Sequence, residues 1–193
     1  MSRDARQMAR QRLQTERGTI VKPDGQTRIR FALAYPNTYY IGMSNLGMQT
    51  LYRVINQRPD TVCERVFLPD TAARAAYTKG NTPLVTLESQ RPVNNADIIG
   101  FSMSYENDYL HLLHMLELAR IPLLAAERDE RHPIILVGGA VTYINPEPLA
   151  DFVDLMILGD GEEATNAYLD LVHDTMGQPR RAHLRQAAQM PGV

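Results

Sequence analysis

Polar and glycine-rich segments follow four of the apolar runs in this sequence, and they contain the residues best suited to contact a ligand. The segments are 35–47, 102–108, 138–145 and 159–163. The candidate residues in them are Ser44, Asn45, Ser102, Ser104, Gly138, Gly139, Gly159, Gly161 and Glu162. Glycines let a ligand approach the backbone, and hydroxyl and amide groups can hydrogen-bond to it. Since the carboxyl ends of parallel strands share one edge, we expect these segments to form a ligand site together.

The first segment carries the most specific pattern. Asn37, Tyr39 and Gly42 stand at the spacing of Asp-x-His-x-x-Gly, in which a histidine coordinates the cobalt of cobalamin and the acid orients that histidine. Here an amide replaces the acid and a phenol replaces the imidazole, and neutral tyrosine is a poor ligand for cobalt. The spacing alone therefore favours an ordinary strand-to-helix loop, with Ser44 or Asn45 capping the following helix.

Patterns typical of other sites are weak or missing. Segment 159–164 has the spacing of a dinucleotide fingerprint, but its three carboxylates would repel a pyrophosphate at the helix N-terminus. No GxSxG elbow occurs, and Cys63 has no evident partner base. His111 and His114 lie one helical turn apart, yet no carboxylate lies between them, so an exposed helix face explains them better than a metal site. We predict neither a catalytic residue nor a metal site.

Short apolar runs that do not alternate with polar residues indicate strands buried on both faces of a parallel sheet. These predicted strands are Ile29–Ala34, Val62–Leu68, Asp97–Met103, Pro133–Val137 and Val153–Leu158, with Leu84–Leu87 as an additional edge strand. Helical periodicity lies between them, at Leu46–Asn56, Tyr105–Arg120 and Gly161–Met176. The alternation predicts the α/β class: a flavodoxin-like (Rossmann-type) three-layer sandwich with a mostly parallel five-stranded sheet in the order 2-1-3-4-5.

Composition and charge exclude several classes of protein. The 193 residues are 44% hydrophobic and 22% charged, values typical of a globular domain, and no apolar run is long enough to span a membrane. With one cysteine, Cys63, the chain cannot form an internal disulfide or hold a three-cysteine cluster. Residues 1–17 and 178–193 are basic, so the centre is acidic, which argues against a duplex-binding surface. We expect a cytoplasmic domain.

Several runs together resemble one known family. They are AYPNTYYIGMSNLGMQTLYRVIN, ERVFLPD, IIGFSMSYENDYLHLLHMLELARIPL and ILVGGAVTYINPEPLADFVDLMILGDGEE. The resemblance covers about residues 28–175 and is to radical S-adenosylmethionine (SAM) proteins in which a cobalamin-binding-like domain precedes the radical core. The first loop of that family usually has an acid at the position of Asn37 and a glutamate at that of Tyr40.

The resemblance implies an organisation and a function. We expect a polar arm and turn at 1–27, a cobalamin-binding-like domain at 28–177, and a linker at 178–193 toward a missing radical SAM core. A corrinoid or a substrate would bind over the strand ends and contact the candidate residues named above; cobalamin would do so without a histidine lower ligand. The [4Fe–4S] cluster and S-adenosylmethionine would bind only the core, because the CxxxCxxC loop is absent from this sequence.

Two alternatives remain open. The chain could be a degenerate docking domain that binds no cofactor and packs on the radical core or a partner protein. Met43, Met48 and Met103 would then fill a dry interface. A hydrolase or transferase using Tyr39, Glu106 and Asp108 is the weaker alternative, since no nucleophile–base spacing supports it.

Overall fold

The computed structural model describes residues 3–23, 25, 27–71, 73–74, 77 and 82–193. The strands are β1 (Ile29–Tyr35), β2 (Thr61–Phe67), β3 (Ile98–Ser102), β4 (Ile134–Gly138) and β5 (Leu155–Ile157). The helices are α1 (Arg3–Thr15), α2 (Tyr39–Met43), α3 (Leu46–Gln57), α4 (Tyr109–Ala119), α5 (Val141–Ile144), α6 (Gly161–Thr175) and α7 (Arg180–Ala187). The five strands pair in the order β2-β1-β3-β4-β5, and every pair is parallel. This confirms the predicted fold class and strand order.

Strand β1 shows why the apolar runs do not alternate with polar residues. Every residue in it except Arg30 is buried. Its odd-numbered side chains, such as Phe31 and Leu33, belong to a core shared with α3, α6 and α7. Its even-numbered side chains, Ala32 and Ala34, belong to a second core shared with α4 and α5. The sheet is therefore the middle of three layers, with helices on both faces.

Strand β2 lies at the edge of the sheet. Other residues hydrogen-bond to the backbone groups on its outer side. The Asn56 side chain accepts from the Cys63 N–H at 3.0 Å and donates to the Cys63 carbonyl at 3.0 Å. Farther along β2, the Arg65 N–H donates to Glu88 at 2.7 Å and the Arg65 carbonyl accepts from the Leu87 N–H at 2.8 Å. These bonds close the edge to pairing with another chain.

The segment predicted as an additional edge strand takes part in this closure without extending the sheet. Within Leu84–Leu87 only Val85 forms a bridge, antiparallel to Pro92. The Glu88 carboxylate accepts the hydrogen bond from the Arg65 N–H, so backbone pairing with β2 does not continue past Leu87. The expectation of a sixth strand was wrong.

Replacing Asn56 by alanine should lower the free energy of unfolding by about 2–3 kcal/mol, because the buried N–H and carbonyl of Cys63 lose their partners. Urea unfolding followed by circular dichroism measures this loss. Gln57→Ala removes an exposed amide from the next position of α3 and should change stability by less than about 0.5 kcal/mol. Equal losses in the two variants would contradict the role given to Asn56.

The segments that were expected to be a polar arm and a linker each contain a helix. Residues 3–15 form helix α1, which buries Ala9 and packs Leu13 against the core. Arginines and glutamines dominate this helix, so only a narrow apolar stripe marks its packed side. The predicted domain boundary at residue 27 remains a prediction, but the segment before it packs on the sheet layer.

The segment expected to be a linker, 178–193, contains helix α7, which docks on α6. The His183 ring lies between the Tyr168 hydroxyl at 3.0 Å and the Thr175 hydroxyl at 2.7 Å, and burial lowers the pKa of His183. Arg180 reaches Asp154 at 2.6 Å. Apolar residues are sparse in this segment, so its packing was not predicted; Leu184 and Ala187 pack against the core beside these polar contacts.

Candidate functional site

Parallel strands bring the predicted segments to the carboxyl edge of the sheet, where they surround a cavity of about 180 Å³. The predicted residues that line this cavity are Ser102, Gly138, Gly139, Gly159, Gly161 and Glu162. The other predicted residues, Asn37, Tyr39, Gly42, Ser44, Asn45 and Ser104, are not among its lining residues. The structure therefore divides the candidates into a cavity set and a first-loop set. We call this space the glycine cavity.

Small residues on one face of the sheet create the glycine cavity. Ser102 on β3 and Gly138 on β4 line it with little side-chain bulk, and a Cβ on Gly138 would come no closer than 3.9 Å to Ile157. Gly100 on β3 is covered by the Phe31 ring, with which a Cβ there would collide. Leu51 of α3 and Thr165 of α6 line the cavity from the helical side. The lining is largely apolar, so the cavity suits a flat apolar group better than a charged one.

Three of the lining glycines differ in whether they could carry a side chain. Gly139 has φ +106° and Gly159 has φ +117°, conformations that other residues rarely adopt. A Cβ on Gly139 would also collide with the backbone of Met103. Gly161 begins α6, and a Cβ there would lie 3.4 Å from Leu51, which is ordinary contact. Gly161 is therefore the position where added bulk changes the cavity without straining the backbone.

Tyr39, the residue at the histidine position of the motif, has a structural role. Its hydroxyl donates to Glu16 at 2.5 Å, and its ring meets Phe67 edge to face at 5.3 Å. Burial and the bond to Glu16 raise the pKa of Tyr39 to about 12. Its hydroxyl is engaged with the segment that follows α1, and the neutral phenol supplies no ligand at the strand ends.

The other first-loop candidates shape the loop. A Cβ on Gly42 would lie 2.5 Å from the Phe67 ring, so packing requires glycine there. Ser44 donates to the carbonyl of Tyr40 at 2.8 Å. Asn45, as predicted, caps a helix: its side chain accepts from the Met48 N–H of α3 at 2.9 Å. Its amide nitrogen also donates to Ser104 at 3.2 Å, which ties the loops after β1 and β3 together.

Large apolar side chains are exposed in or next to the same four segments, a feature that the sequence analysis missed. We call them the apolar rim: Tyr40, Ile41, Leu46, Tyr105, Leu110, Tyr143, Ile144 and Leu158. They come from the segments that follow β1, β3, β4 and β5. Within the described ranges, the large exposed apolar side chains elsewhere are Val21, Leu124 and Met176. Exposed apolar side chains gathered at one edge of a sheet make that edge a candidate binding surface.

The three methionines considered for an interface are not part of the rim. Met48 and Met103 are fully buried in the two cores. The sulfur of Met43 accepts from Arg65 at 3.1 Å. Met48 and Met103 fill the domain's own interior, and Met43 is partly buried against the core that contains Met48, so the three do not form an exposed apolar surface.

A larger cavity of about 490 Å³ lies at the opposite, amino-terminal edge of the sheet, and several of its polar groups already bond to other parts of the chain. The carboxylate of Asp97 accepts from the Arg30 N–H at 2.7 Å. Arg180 donates to the His132 carbonyl at 2.8 Å as well as to Asp154. We therefore place the candidate site at the carboxyl edge, where predicted residues and exposed apolar groups coincide.

Other chemistry finds little support in the described part of the chain. No group of three or more His, Cys, Asp or Glu residues there could hold a metal ion. Cys63 is completely buried, and burial raises the pKa of its thiol well above the ordinary value, so it is a poor nucleophile. None of the described helices has the length and apolar character of a membrane span.

Comparison with known proteins gives a family and a distant relative. The family described as radical SAM proteins, N-terminal, matches residues 47–193. An uncharacterized protein of Methanocaldococcus jannaschii is 24% identical over 131 residues, which are 68% of this chain and 24% of that protein. The chain thus spans about a quarter of the length of that relative. The family match includes the cavity segments that follow β3, β4 and β5.

Proposed function

Because the chain belongs to the N-terminal family of radical SAM proteins, we propose that it is the corrinoid-binding domain of a longer radical SAM protein. The cofactor would bind at the carboxyl ends of the strands and serve a downstream radical core. That core would hold the [4Fe–4S] cluster and S-adenosylmethionine, since the single Cys63 of this chain is buried. When bound, a corrinoid supplies a cobalt that exchanges electrons or alkyl groups.

The glycine cavity is the observation that carries this proposal. Its volume of about 180 Å³ is smaller than the ~300–1,000 Å³ of typical ligand pockets, so it suits one part of a ligand. The flat, apolar base of a cobalamin nucleotide tail fits a space lined by Phe31, Leu33, Leu51 and glycine backbone. The apolar rim, which comes from segments at the same edge of the sheet, offers surface to a large macrocycle.

The residues present fit the tail of the cofactor better than they fit ligation by the first loop. Backbone at Gly139 and Gly159 permits close approach, while Ser102 and Glu162 offer polar groups at the cavity wall. The Tyr39 hydroxyl, in contrast, donates its hydrogen bond to Glu16. The proposal therefore assigns binding to the cavity and rim, and gives Asn37, Tyr39 and Gly42 the role of shaping the loop.

Thermal unfolding with hydroxocobalamin tests the proposal. At about 100 times the dissociation constant, binding should raise the melting temperature by about 5–10 °C. Cobinamide, which lacks the nucleotide tail, should stabilise the chain less because it leaves the glycine cavity empty. Haemin serves as the control for nonspecific adsorption of a flat macrocycle to the apolar rim. Equal stabilisation by haemin, or none by hydroxocobalamin, would contradict the proposal.

The apolar rim favours a second candidate, a docking domain that binds no cofactor. Under this alternative, Leu46 and Tyr105 contact the radical core or a partner protein directly, and no corrinoid changes the melting temperature. Leu46 is 77% exposed and Tyr105 is 66% exposed, so polar replacements there should not disturb the core. The same thermal experiment separates the two candidates.

A further inference from the structure

The crevice between the loops after β1 and β3 contains a polar pair, Asp108 and His111, that the proposed function leaves without a role. In the order 2-1-3-4-5 these loops diverge, and such a switch point is where α/β folds bind ligands. Asn37 donates to Asp108 at 3.2 Å across the crevice. The ring Nδ1 of His111 lies 3.1 Å from the same Asp108 oxygen and 2.9 Å from the carbonyl of Pro36.

Asp108 is unusual because its carboxylate is buried and incompletely paired. Its side chain is 3% exposed, and its Oδ2 atom has no hydrogen-bond partner in the described part of the chain. The basic group found in contact with it is His111. A buried carboxylate is costly without a nearby positive charge, so a cation held by His111 would stabilise this arrangement.

The two contacts of His111 Nδ1 determine which ring nitrogen is free. The carbonyl of Pro36 can only accept, so Nδ1 carries the proton and donates it. The lone pair is then on Nε2, which makes no hydrogen bond with the described residues and is not among their buried unpaired atoms. The side chain is 37% exposed. A histidine whose Nδ1–H is held by a carboxylate and a carbonyl is the arrangement found in metal ligands.

We propose that His111 Nε2 is the nitrogen ligand of the corrinoid cobalt, positioned by Asp108. This inference rests on the proposed function. It restores, at the start of α4, the acid–histidine pair that Asn37 and Tyr39 do not provide in the first loop: Asp108 precedes the helix and His111 lies in its first turn. The remaining histidines fit less well: His114 has its Nε2 buried, and the others are far from the carboxyl edge of the sheet. Those others are His132 before β4, His173 near the end of α6 and His183 in α7.

Electron paramagnetic resonance of the chain with cob(II)inamide tests the assignment, because this corrinoid has no nucleotide base of its own. Ligation by His111 should split the high-field cobalt lines into a nitrogen triplet. Labelling the histidines with ¹⁵N should turn the triplet into a doublet, a readout that needs no variant. His111→Ala should abolish the splitting, and Asp108→Asn should weaken cobinamide binding about 10–100-fold. His114→Ala, one turn away, should leave the spectrum unchanged.

The outcomes distinguish failure of the inference from failure of the proposed function. Cobinamide binding without a nitrogen splitting would overturn the assignment and leave the proposed function standing. A splitting that persists in His111→Ala would also overturn it. So would a splitting that remains a triplet when the histidines carry ¹⁵N. If neither cobinamide nor hydroxocobalamin binds, both proposals fail.

Discussion

Arg65→Met is expected to lower the free energy of unfolding by about 3–5 kcal/mol, because two buried carboxylates then lose their cation. Arg65 pairs with Glu88 at 2.7 Å and with Glu16 at 2.6 Å. These three side chains are 5%, 1% and 8% exposed, respectively. The guanidinium also lies 4.6 Å from the centre of the Tyr52 ring. Methionine preserves much of the volume of the arginine side chain, so the loss of stability reports on the missing charge.

The stability lost in Arg65→Met should be smaller at acidic pH. Burial raises the pKa of Glu88 above its ordinary 4.5, while Arg65 acts to lower it. Without Arg65 the pKa of the Glu88 carboxyl should be higher still in the folded chain. A carboxyl with a raised pKa binds its proton more tightly when folded, so its contribution favours folding at low pH and is lost as pH rises through the folded pKa. The variant should therefore approach the parent chain in stability below neutral pH.

Urea unfolding of both chains at neutral pH and at about pH 5 measures this difference. Arg131→Met is the matched control, since Arg131 pairs with Asp129 on the surface and is 83% exposed. It should cost less than about 1 kcal/mol. A deficit for Arg65→Met that is as small as the control, or that grows in acid, would refute the role given to the buried network.

Gly161→Val should weaken hydroxocobalamin binding by about 100-fold, which corresponds to about 2.7 kcal/mol. The new Cβ would make ordinary contact with Leu51 at 3.4 Å, and the added methyl groups would occupy the glycine cavity. The melting temperature of the free chain should change by less than about 4 °C, since the site is at the start of α6 and has room for the Cβ. Gly139 is unsuitable for this test because substitution there strains the backbone.

Visible difference titration measures the affinities, with Ala167→Val as the matched control. Ala167 is exposed on the same helix, α6, so valine there adds the same kind of bulk away from the cavity. The control should bind hydroxocobalamin like the parent chain. Equal affinities for Gly161→Val and the parent would mean that the nucleotide tail binds elsewhere.

The sheet could be predicted because its strands are continuous apolar runs. The residues that line the glycine cavity could be predicted because glycines directly follow those strands. Gly138 and Gly139 come at the end of β4, and Gly161 begins α6, so topology alone brings them together. The ends of the chain could not be predicted this way. In α7 a buried histidine and the Arg180–Asp154 pair act beside only two packed apolar residues, Leu184 and Ala187, and such polar contacts depend on distant partners.

The roles of the first-loop residues also depended on distant contacts. The spacing of Asn37 and Tyr39 is visible in the sequence, but the bond from Tyr39 to Glu16 joins residues 23 positions apart. The pair Asp108 and His111 has a local signal, since residues three apart on a helical turn lie side by side. What the sequence could not give is the Pro36 carbonyl opposite His111, 75 positions away. That contact determines which ring nitrogen is free.

Anomalous X-ray scattering at the cobalt edge, from crystals of the chain grown with hydroxocobalamin, tests the central claim most directly. We expect one cobalt peak over the carboxyl ends of β1, β3 and β4, beside the glycine cavity and the apolar rim. A cobalt bound instead in the polar cavity at the amino-terminal edge, near Arg30 and Asp97, would contradict the account. So would crystals that take up no cobalt at saturating hydroxocobalamin.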